Sequence, residues 1–142
     1  VAEHDSLIAA ARHYLARLDA TLPAPTRASF AVAGGVEGDT AAMTNHPWRI
    51  AASECRDALA IAHVQLINDF TAQALALPHL GPSDRTPIGD PTPTALMDAD
   101  WTCTILGPGT GLGVGALLRR GGAPFALASE GGHAAFAPKT PR

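Results

Sequence analysis

The chain has 142 residues, of which 46% are hydrophobic and 16% charged, a composition that can bury a core of single-domain size. Its 10 basic and 13 acidic residues give a net charge of −3 without any basic run, which argues against nucleic acid or an anionic membrane as a partner. No apolar stretch approaches the ~20 residues of a membrane span, and the two widely separated cysteines, Cys55 and Cys103, suit a reducing cytosol.

The first part of the chain is interpreted as scaffold. A helix capped by Asp5 or Ser6 is predicted, because apolar residues recur at helical spacing after it. These residues are Leu7, Ile8, Ala11, Tyr14, Leu15 and Leu18. Residues 27–32 alternate as a strand, and Ser53 is predicted to cap a short helix that runs through Ala60.

The next predicted strand leads into an amide and a carboxylate. Residues 63–67 form a short apolar run typical of a buried strand, and residues 71–77 have helical composition up to Pro78. Asn68 and Asp69 therefore lie at a strand-to-helix junction, where open α/β sheets bind ligands. Phosphoryl transfer to an alcohol needs a carboxylate beside the attacking hydroxyl, and an amide can hold neighbouring hydroxyls. The alternative is that Asp69 only caps the following helix.

A glycine-rich loop, residues 107–113, follows a predicted strand over residues 101–106. Glycines there allow positive φ and let backbone N–H groups surround a phosphate. Residues 111–116 satisfy the G-x-G-x-x-A dinucleotide pattern, but Gly121 and Gly122 predict a hairpin turn where that fold needs a full helix. The loop also lacks the Lys-Ser/Thr ending of a P-loop. A plain tight turn between strands is the alternative interpretation.

The tetrad Glu130-Gly131-Gly132-His133 follows the second strand of that hairpin. Its two glycines allow an irregular turn that directs both polar side chains at one ligand. A carboxylate and an imidazole can together hold two adjacent sugar hydroxyls. Metal binding is the competing use, but no His-x-x-x-His or Cys-x-x-Cys pattern accompanies the tetrad, so no metal site is predicted.

These segments together resemble the bacterial ATP-dependent glucokinases in order, spacing and flanking sequence. The matching segments are LINDFTA at 66–72, GTGLG at 109–113, EGGHAAFAP at 130–138 and AMTNHPW at 42–48. The resemblance covers nearly the whole chain. It implies transfer of the γ-phosphate of Mg²⁺-bound ATP to the 6-hydroxyl of glucose, the first step of glycolysis, without a tightly bound cofactor.

The resemblance also implies a role for each matching residue. Asp69 would be the general base and a glucose ligand, and Asn68 would bind ring hydroxyls. Glu130 and His133 would bind hydroxyls near the anomeric end. The nucleotide phosphates would lie against Gly109, Thr110, Gly111 and Gly113. The full-length enzyme is expected to be a cytoplasmic homodimer that binds glucose and ATP.

The implied fold is a partial actin-like, ribonuclease-H-like α/β sugar kinase fold, with mixed sheets and flanking helices. A connection rich in proline and glycine over residues 81–93 places a domain boundary nearby. We expect residues 1–99 to form a small domain that lacks its N-terminal phosphate-binding strands, and residues 100–142 to begin a large one. The family's opening Gly-Asp-x-Gly-Gly-Thr-Asn turn does not occur in the sequence, so we expect an internal piece of a longer enzyme that is inactive alone.

Two other functions remain open at this point. A sugar-sensing or sugar-binding protein on the same scaffold would hold sugar without transferring phosphate, although such a protein needs no base like Asp69. No helix-turn-helix or cysteine-rich zinc motif supports it in this sequence. A kinase of another hexose or an amino sugar would differ only in details of the pocket.

Overall fold

The structure, a computed structural model, describes residues 3–89, 100–108, 111–129 and 131–133. Contacts within the chain divide it into two compact units, Val1–Asp69 and Phe70–Arg142. Both units combine helices with strands, and the sheets include parallel and antiparallel pairs, which confirms the predicted α/β class with mixed sheets. The division differs from the predicted domain boundary between residues 99 and 100, which stays a prediction.

The first unit holds two helices and five strands. They are α1 (Leu7–Leu15), β1 (Arg27–Val32), β2 (Gly34–Glu37), β3 (Thr40–Met43), β4 (Arg49–Ala51), α2 (Ala52–Leu59) and β5 (His63–Asn68). β1 and β5 pair in parallel, which places Val32 opposite Asn68 at their carboxyl ends. β2, β3 and β4 form an antiparallel sheet within the segment that connects β1 to β5. The predicted strand over residues 27–32 is confirmed.

A single buried cluster joins the elements of the first unit. Its buried members are Val32, Ala41, Ile50, Ala52, Cys55, Ile61, Val64 and Leu66. β5 shows the period of two that a half-buried strand requires, with Val64 and Leu66 inward and His63 and Gln65 exposed. The buried strand predicted over residues 63–67 is confirmed, and it extends by one residue to Asn68.

Helix α1 begins as the sequence predicts and ends earlier. Ser6 is its N-cap, and the Ser6 hydroxyl oxygen accepts a hydrogen bond from the N–H of Ala9 at 3.1 Å. The predicted apolar face extended to Leu18, but the helix ends at Leu15. The Leu18 N–H instead bonds the Leu15 carbonyl, a bond of the 3₁₀ type that often tightens the end of a helix.

Helix α2 is capped by Asp39 and not, as predicted, by Ser53. The helix starts at Ala52, so Ser53 already lies inside its first turn. The Asp39 carboxylate accepts a hydrogen bond from the N–H of Ser53 at 3.1 Å, and the Asp39 carbonyl accepts one from the N–H of Ala52 at 2.8 Å. The same carboxylate pairs with Arg56 at 3.1 Å. A residue in the β2–β3 turn therefore satisfies the N–H groups that open this helix.

Replacing Asp39 by alanine is expected to lower the midpoint of thermal unfolding by a few degrees, whereas Ser53→Ala should leave it unchanged. The hydrogen bond from Arg56 holds the pKa of the Asp39 carboxyl below its ordinary value. Because the folded pKa is the lower one, the stabilisation is present at neutral pH and is lost as the pH falls below about 4. A wild-type advantage over Asp39→Ala that persisted undiminished at about pH 2 would contradict this account.

The second unit begins within the first turn of α3 and continues into a three-stranded sheet. Its elements are α3 (Asp69–Ala76), β6 (Trp101–Pro108), β7 (Leu112–Arg120), β8 (Ala123–Ser129) and the 3₁₀ turns Leu77–His79, Pro82–Asp84 and Gly131–His133. The helix predicted over residues 71–77 is present, and it starts two residues earlier. Pro78 lies in the 3₁₀ turn that follows, as expected of a residue that cannot continue an α-helix. None of the described helices is long and apolar enough to cross a membrane.

Strands β6, β7 and β8 form an antiparallel meander around a small core. Gly121 and Gly122 form the two-residue turn between β7 and β8 with φ of 58° and 87°, which confirms the predicted hairpin. Leu117, in the central strand, is fully buried with Ala74 of α3 and Trp101 of β6. The helix and the sheet of this unit therefore share one apolar cluster.

Candidate functional site

The Asn-Asp pair lies where the sequence predicts it, at the carboxyl end of a parallel strand. Asn68 is the last residue of β5, and Asp69 is the first residue of α3. Both residues are half-buried. The Asn68 side-chain amide nitrogen donates to the Asp69 carboxylate at 3.1 Å and to the Gly34 carbonyl oxygen at 3.3 Å. Because this nitrogen carries two hydrogens, the two bonds fix the orientation of the amide and restrain the carboxylate.

Gly34 holds the carbonyl group that Asn68 contacts. It begins β2 and pairs with Met43 of β3. A Cβ atom at Gly34 would overlap the carbonyl group of Ala42, so the close approach of the two strands requires glycine at this position. This partner of Asn68 was not predicted. A glycine two residues after a predicted strand was the available signal, but its connection to Asn68 depends on the parallel register of β1 and β5.

Asp69 also occupies a position that favours a negative charge for structural reasons. It lies in the first turn of α3, where the partial positive charge of the helix N-terminus stabilises a carboxylate. The geometry of Asp69 is therefore compatible with both interpretations of the sequence, helix stabilisation and action as a base. Its role stays a prediction.

The turn between β6 and β7 is shorter than the glycine loop that the sequence predicts. The antiparallel ladder continues to the pairs Gly107 with Gly113 and Pro108 with Leu112, so only residues 109–111 connect the strands. The prediction of a loop from 107 to 113 was wrong at its two ends, because glycine does not interrupt the regular pairing there. Gly111 is exposed, with open space where a side chain would extend. The other two connecting residues, 109 and 110, named above as phosphate ligands, lie outside the described residues.

The ring of Phe70 explains why several of these residues are glycines. Phe70 directly follows Asp69, and its ring occupies the space that a Cβ atom at Gly107 or Gly113 would need. On the same face of β7, a Cβ atom at Gly115 would lie 2.7 Å from the Phe70 carbonyl oxygen. Gly113 was predicted as a phosphate ligand, and the close packing of Phe70 is a second reason for glycine at that position.

The last three residues of the tetrad, Gly131–His133, lie beside the start of β7. Gly131–His133 forms a 3₁₀ turn, in which the N–H of Gly131 donates to the hydroxyl oxygen of Ser129 at 3.0 Å. A Cβ atom at Gly132 would overlap the carbonyl group of Leu112, so the turn and the strand are in close contact. Residue 130 lies outside the described residues, and for His133 the structure describes the backbone alone. The two predicted sugar-binding side chains are therefore not placed.

Two segments that are far apart in the sequence contact one end of the β6–β7 hairpin. The ring of Phe70 lies against Gly107 and Gly113, and Gly132 lies against Leu112. All of these contacts lie within the second unit. In the parts of the chain that the structure describes, no three His, Cys, Asp or Glu side chains lie together as a metal-binding group.

Comparison with known proteins identifies the family of this chain. The family model described as Glucokinase matches residues 1–142. The chain belongs to the glucokinase family. The resemblance inferred from the motifs at 66–72, 109–113 and 130–138 is thereby confirmed at the level of the family.

Curated glucokinases and a solved glucokinase structure are similar to the chain over nearly its whole length. Glucokinase of Xanthomonas campestris pv. campestris (strain B100) is 44% identical over 142 residues, and glucokinase of Xylella fastidiosa (strain 9a5c) is 45% identical over 143. Each alignment covers 99% of this chain and 42% of the relative. The crystal structure of glucokinase from an Antarctic psychrotroph matches with a TM-score of 0.74 and 35% identity, over 98% of this chain and 41% of that one. The chain thus spans about two-fifths of the length of these glucokinases.

Proposed function

We propose that the complete protein transfers the γ-phosphate of ATP to the 6-hydroxyl of glucose. The observation that supports this most strongly is the Asn68–Asp69 junction at the carboxyl end of a parallel strand, where the amide nitrogen donates to the carboxylate at 3.1 Å, since phosphoryl transfer to an alcohol needs a positioned carboxylate. Membership of the glucokinase family supports the same conclusion.

Asp69 is the proposed general base. Its carboxylate would accept the proton of the 6-hydroxyl while that oxygen bonds to the γ-phosphorus and the bond from phosphorus to the leaving ADP oxygen breaks. The hydrogen bond from Asn68 restrains the carboxylate for this task. Asn68, directly before Asp69, is the proposed ligand of the sugar ring hydroxyls.

Glu130 and His133 are the proposed ligands of the sugar hydroxyls near the anomeric carbon. The intervening glycines form a tight turn against Leu112, which would hold the two side chains at one place on the hairpin. A carboxylate accepts hydrogen bonds from two hydroxyls at once, and an imidazole can donate or accept according to its tautomer. Together they would orient the pyranose ring and so direct its 6-hydroxyl toward the base.

The β6–β7 turn is the proposed contact for the nucleotide phosphates, through the backbone of Gly109, Thr110, Gly111 and Gly113. The open space at Gly111 suits the close approach of a phosphate to the main chain. Mg²⁺ would arrive with ATP as part of the substrate and neutralise charge on the transferred phosphoryl group. No tightly bound cofactor is part of the proposal.

The proposed architecture of the complete protein is the actin-like, ribonuclease-H-like fold, acting as a homodimer in the cytoplasm. A parallel β1–β5 pair with an antiparallel sheet and a helix in its connection is compatible with this fold. The experiment that tests the function is a coupled assay of the complete protein with glucose, ATP and Mg²⁺. Glucose 6-phosphate and ADP should form in equal amounts. Glucose binding without ADP release would favour a sugar-binding protein, and faster turnover of another hexose would correct the substrate.

Alanine variants of Glu130 and His133 should raise KM for glucose far more than KM for ATP. Each removes a hydrogen bond to a sugar hydroxyl, and bonds that involve a charged group contribute about 1.5–3 kcal/mol. We therefore expect KM for glucose to rise about tenfold to a hundredfold for Glu130→Ala. Steady-state kinetics with each substrate varied in turn measure the effect. His79→Ala, at an exposed histidine of a 3₁₀ turn, is the control. Equal rises for both substrates would indicate a loss of fold.

A further inference from the structure

We propose that Phe70 is a positioning residue for phosphoryl transfer, and that Gly107 and Gly113 form the notch that seats its ring. This inference rests on the proposed kinase function. Phe70 touches no substrate in this proposal. It fixes the first turn of α3 on the β6–β7 hairpin, and the chain reaches the catalytic carboxylate one peptide bond before it.

The notch is formed by two glycines that face each other across the β6–β7 ladder. Gly107 and Gly113 are register partners, and because neither has a side chain, one continuous gap lies on the face of the sheet where their Cβ atoms would be. At Gly107, the three atoms nearest to an added Cβ all belong to the Phe70 ring, with Cε1 at 2.6 Å and Cε2 at 3.8 Å. At Gly113, the three nearest atoms are again ring atoms of Phe70. The gap is therefore filled by one side chain.

The backbone of Phe70 is held at a neighbouring point. At Gly115, an added Cβ would meet the Phe70 carbonyl oxygen at 2.7 Å and its carbonyl carbon at 3.2 Å, with Ile105 Cγ2 at 3.0 Å. Phe70 thus rests on the hairpin through both its ring and its main chain. Two points of support define the position and the direction of the helix start better than one.

The position of this turn matters because the residue before Phe70 is Asp69. Asp69 and Phe70 are consecutive residues of the first turn of α3, where the backbone dihedrals are held in the helical range, so a displacement of Phe70 also displaces Asp69. Phosphoryl transfer depends mainly on positioning, and a misplacement of 1 Å can cost about 10²-fold in rate. The position of the ring would therefore affect kcat more than KM for glucose, because the proposed sugar ligands Glu130 and His133 do not follow Phe70 in the chain.

Gly107→Ala in the complete protein tests the notch, because the new methyl group would meet only the ring among its nearest neighbours. We expect kcat for glucose 6-phosphate formation to fall by about 10²-fold, with KM for glucose little changed. Phe70→Leu alone, which removes the outer ring atoms without adding bulk, should lower kcat by less than Gly107→Ala does. If Gly107→Ala does not fold, the fall in kcat of Phe70→Leu tests the same contact.

The decisive measurement is rescue by a complementary pair. Leucine lacks the Cε and Cζ atoms that the alanine methyl would meet, so Gly107→Ala with Phe70→Leu should have a kcat about tenfold above that of Gly107→Ala alone. The matched control is Gly115→Ala, whose methyl group would meet the Phe70 backbone and Ile105. Phe70→Leu removes neither the Phe70 carbonyl group nor the Ile105 side chain, so adding it to Gly115→Ala should not raise kcat.

The outcomes separate this inference from the function on which it rests. If the wild-type protein forms no glucose 6-phosphate, the kinase proposal and the positioning role both fail. If the wild type is active and Gly107→Ala keeps a near-normal kcat, the positioning role alone is wrong. It is also wrong if the double variant regains thermal stability without regaining kcat, since the contact would then be structural only.

Discussion

Asp69→Asn in the complete protein is expected to lower kcat for glucose phosphorylation by about 10²–10⁴-fold, the contribution of a positioned general base. KM for glucose should change by no more than several-fold, because asparagine has the same shape and still bonds to hydroxyls. Steady-state assay of glucose 6-phosphate formation measures both constants. Asparagine is chosen because it keeps the shape of aspartate and an oxygen that can accept a hydrogen bond, so besides the base the variant loses only the charge at the helix start, about 0.3–1 kcal/mol.

The two interpretations of Asp69 predict opposite results for this variant. If Asp69 only stabilises the start of α3, Asp69→Asn should be nearly as active as the wild type, and a kcat above about one tenth of normal would exclude the base role. Asp84→Asn, at an exposed aspartate in the 3₁₀ turn Pro82–Asp84, is the matched control for the loss of one negative charge. It should leave both kcat and the thermal midpoint unchanged.

Elements with a long and regular pattern were predictable from the sequence, and short ones were not. The alternation in β1 and β5 is clear over six residues each, and the paired glycines mark the β7–β8 turn directly. β2, β3 and β4 have three or four residues each, too few to establish a period. They form because pairing with neighbouring strands compensates for the weak local pattern.

Features that depend on distant contacts could not be read from a local pattern. Serine is a common N-cap residue, which is why Ser53 was predicted to cap α2. The cap comes instead from Asp39, 14 residues earlier, whose carboxylate accepts a hydrogen bond from the N–H of Ser53. The Asn-Asp junction was predictable, since both residues directly follow an apolar run. The hydrogen bond from Asn68 to Gly34 and the packing of Phe70 on Gly107 were not predictable, because each can be recognised only when the strand register is known.

Leu117→Ala is expected to destabilise the second unit by about 2–5 kcal/mol, the usual cost of removing a leucine from a packed core. Leu117 is fully buried in the strand that begins at the proposed phosphate turn, and it packs with Ala74 of α3 and with Trp101. Its loss should therefore loosen the helix and the sheet together. Hydrogen exchange of peptides within residues 101–129 measures the free energy of opening of this unit alone. Leu106→Ala, in the same sheet but 62% exposed, should cost less than about 1 kcal/mol. Similar losses for the two variants would mean that Leu117 is not the centre of this core, and that the glycine turn is held in place by other contacts.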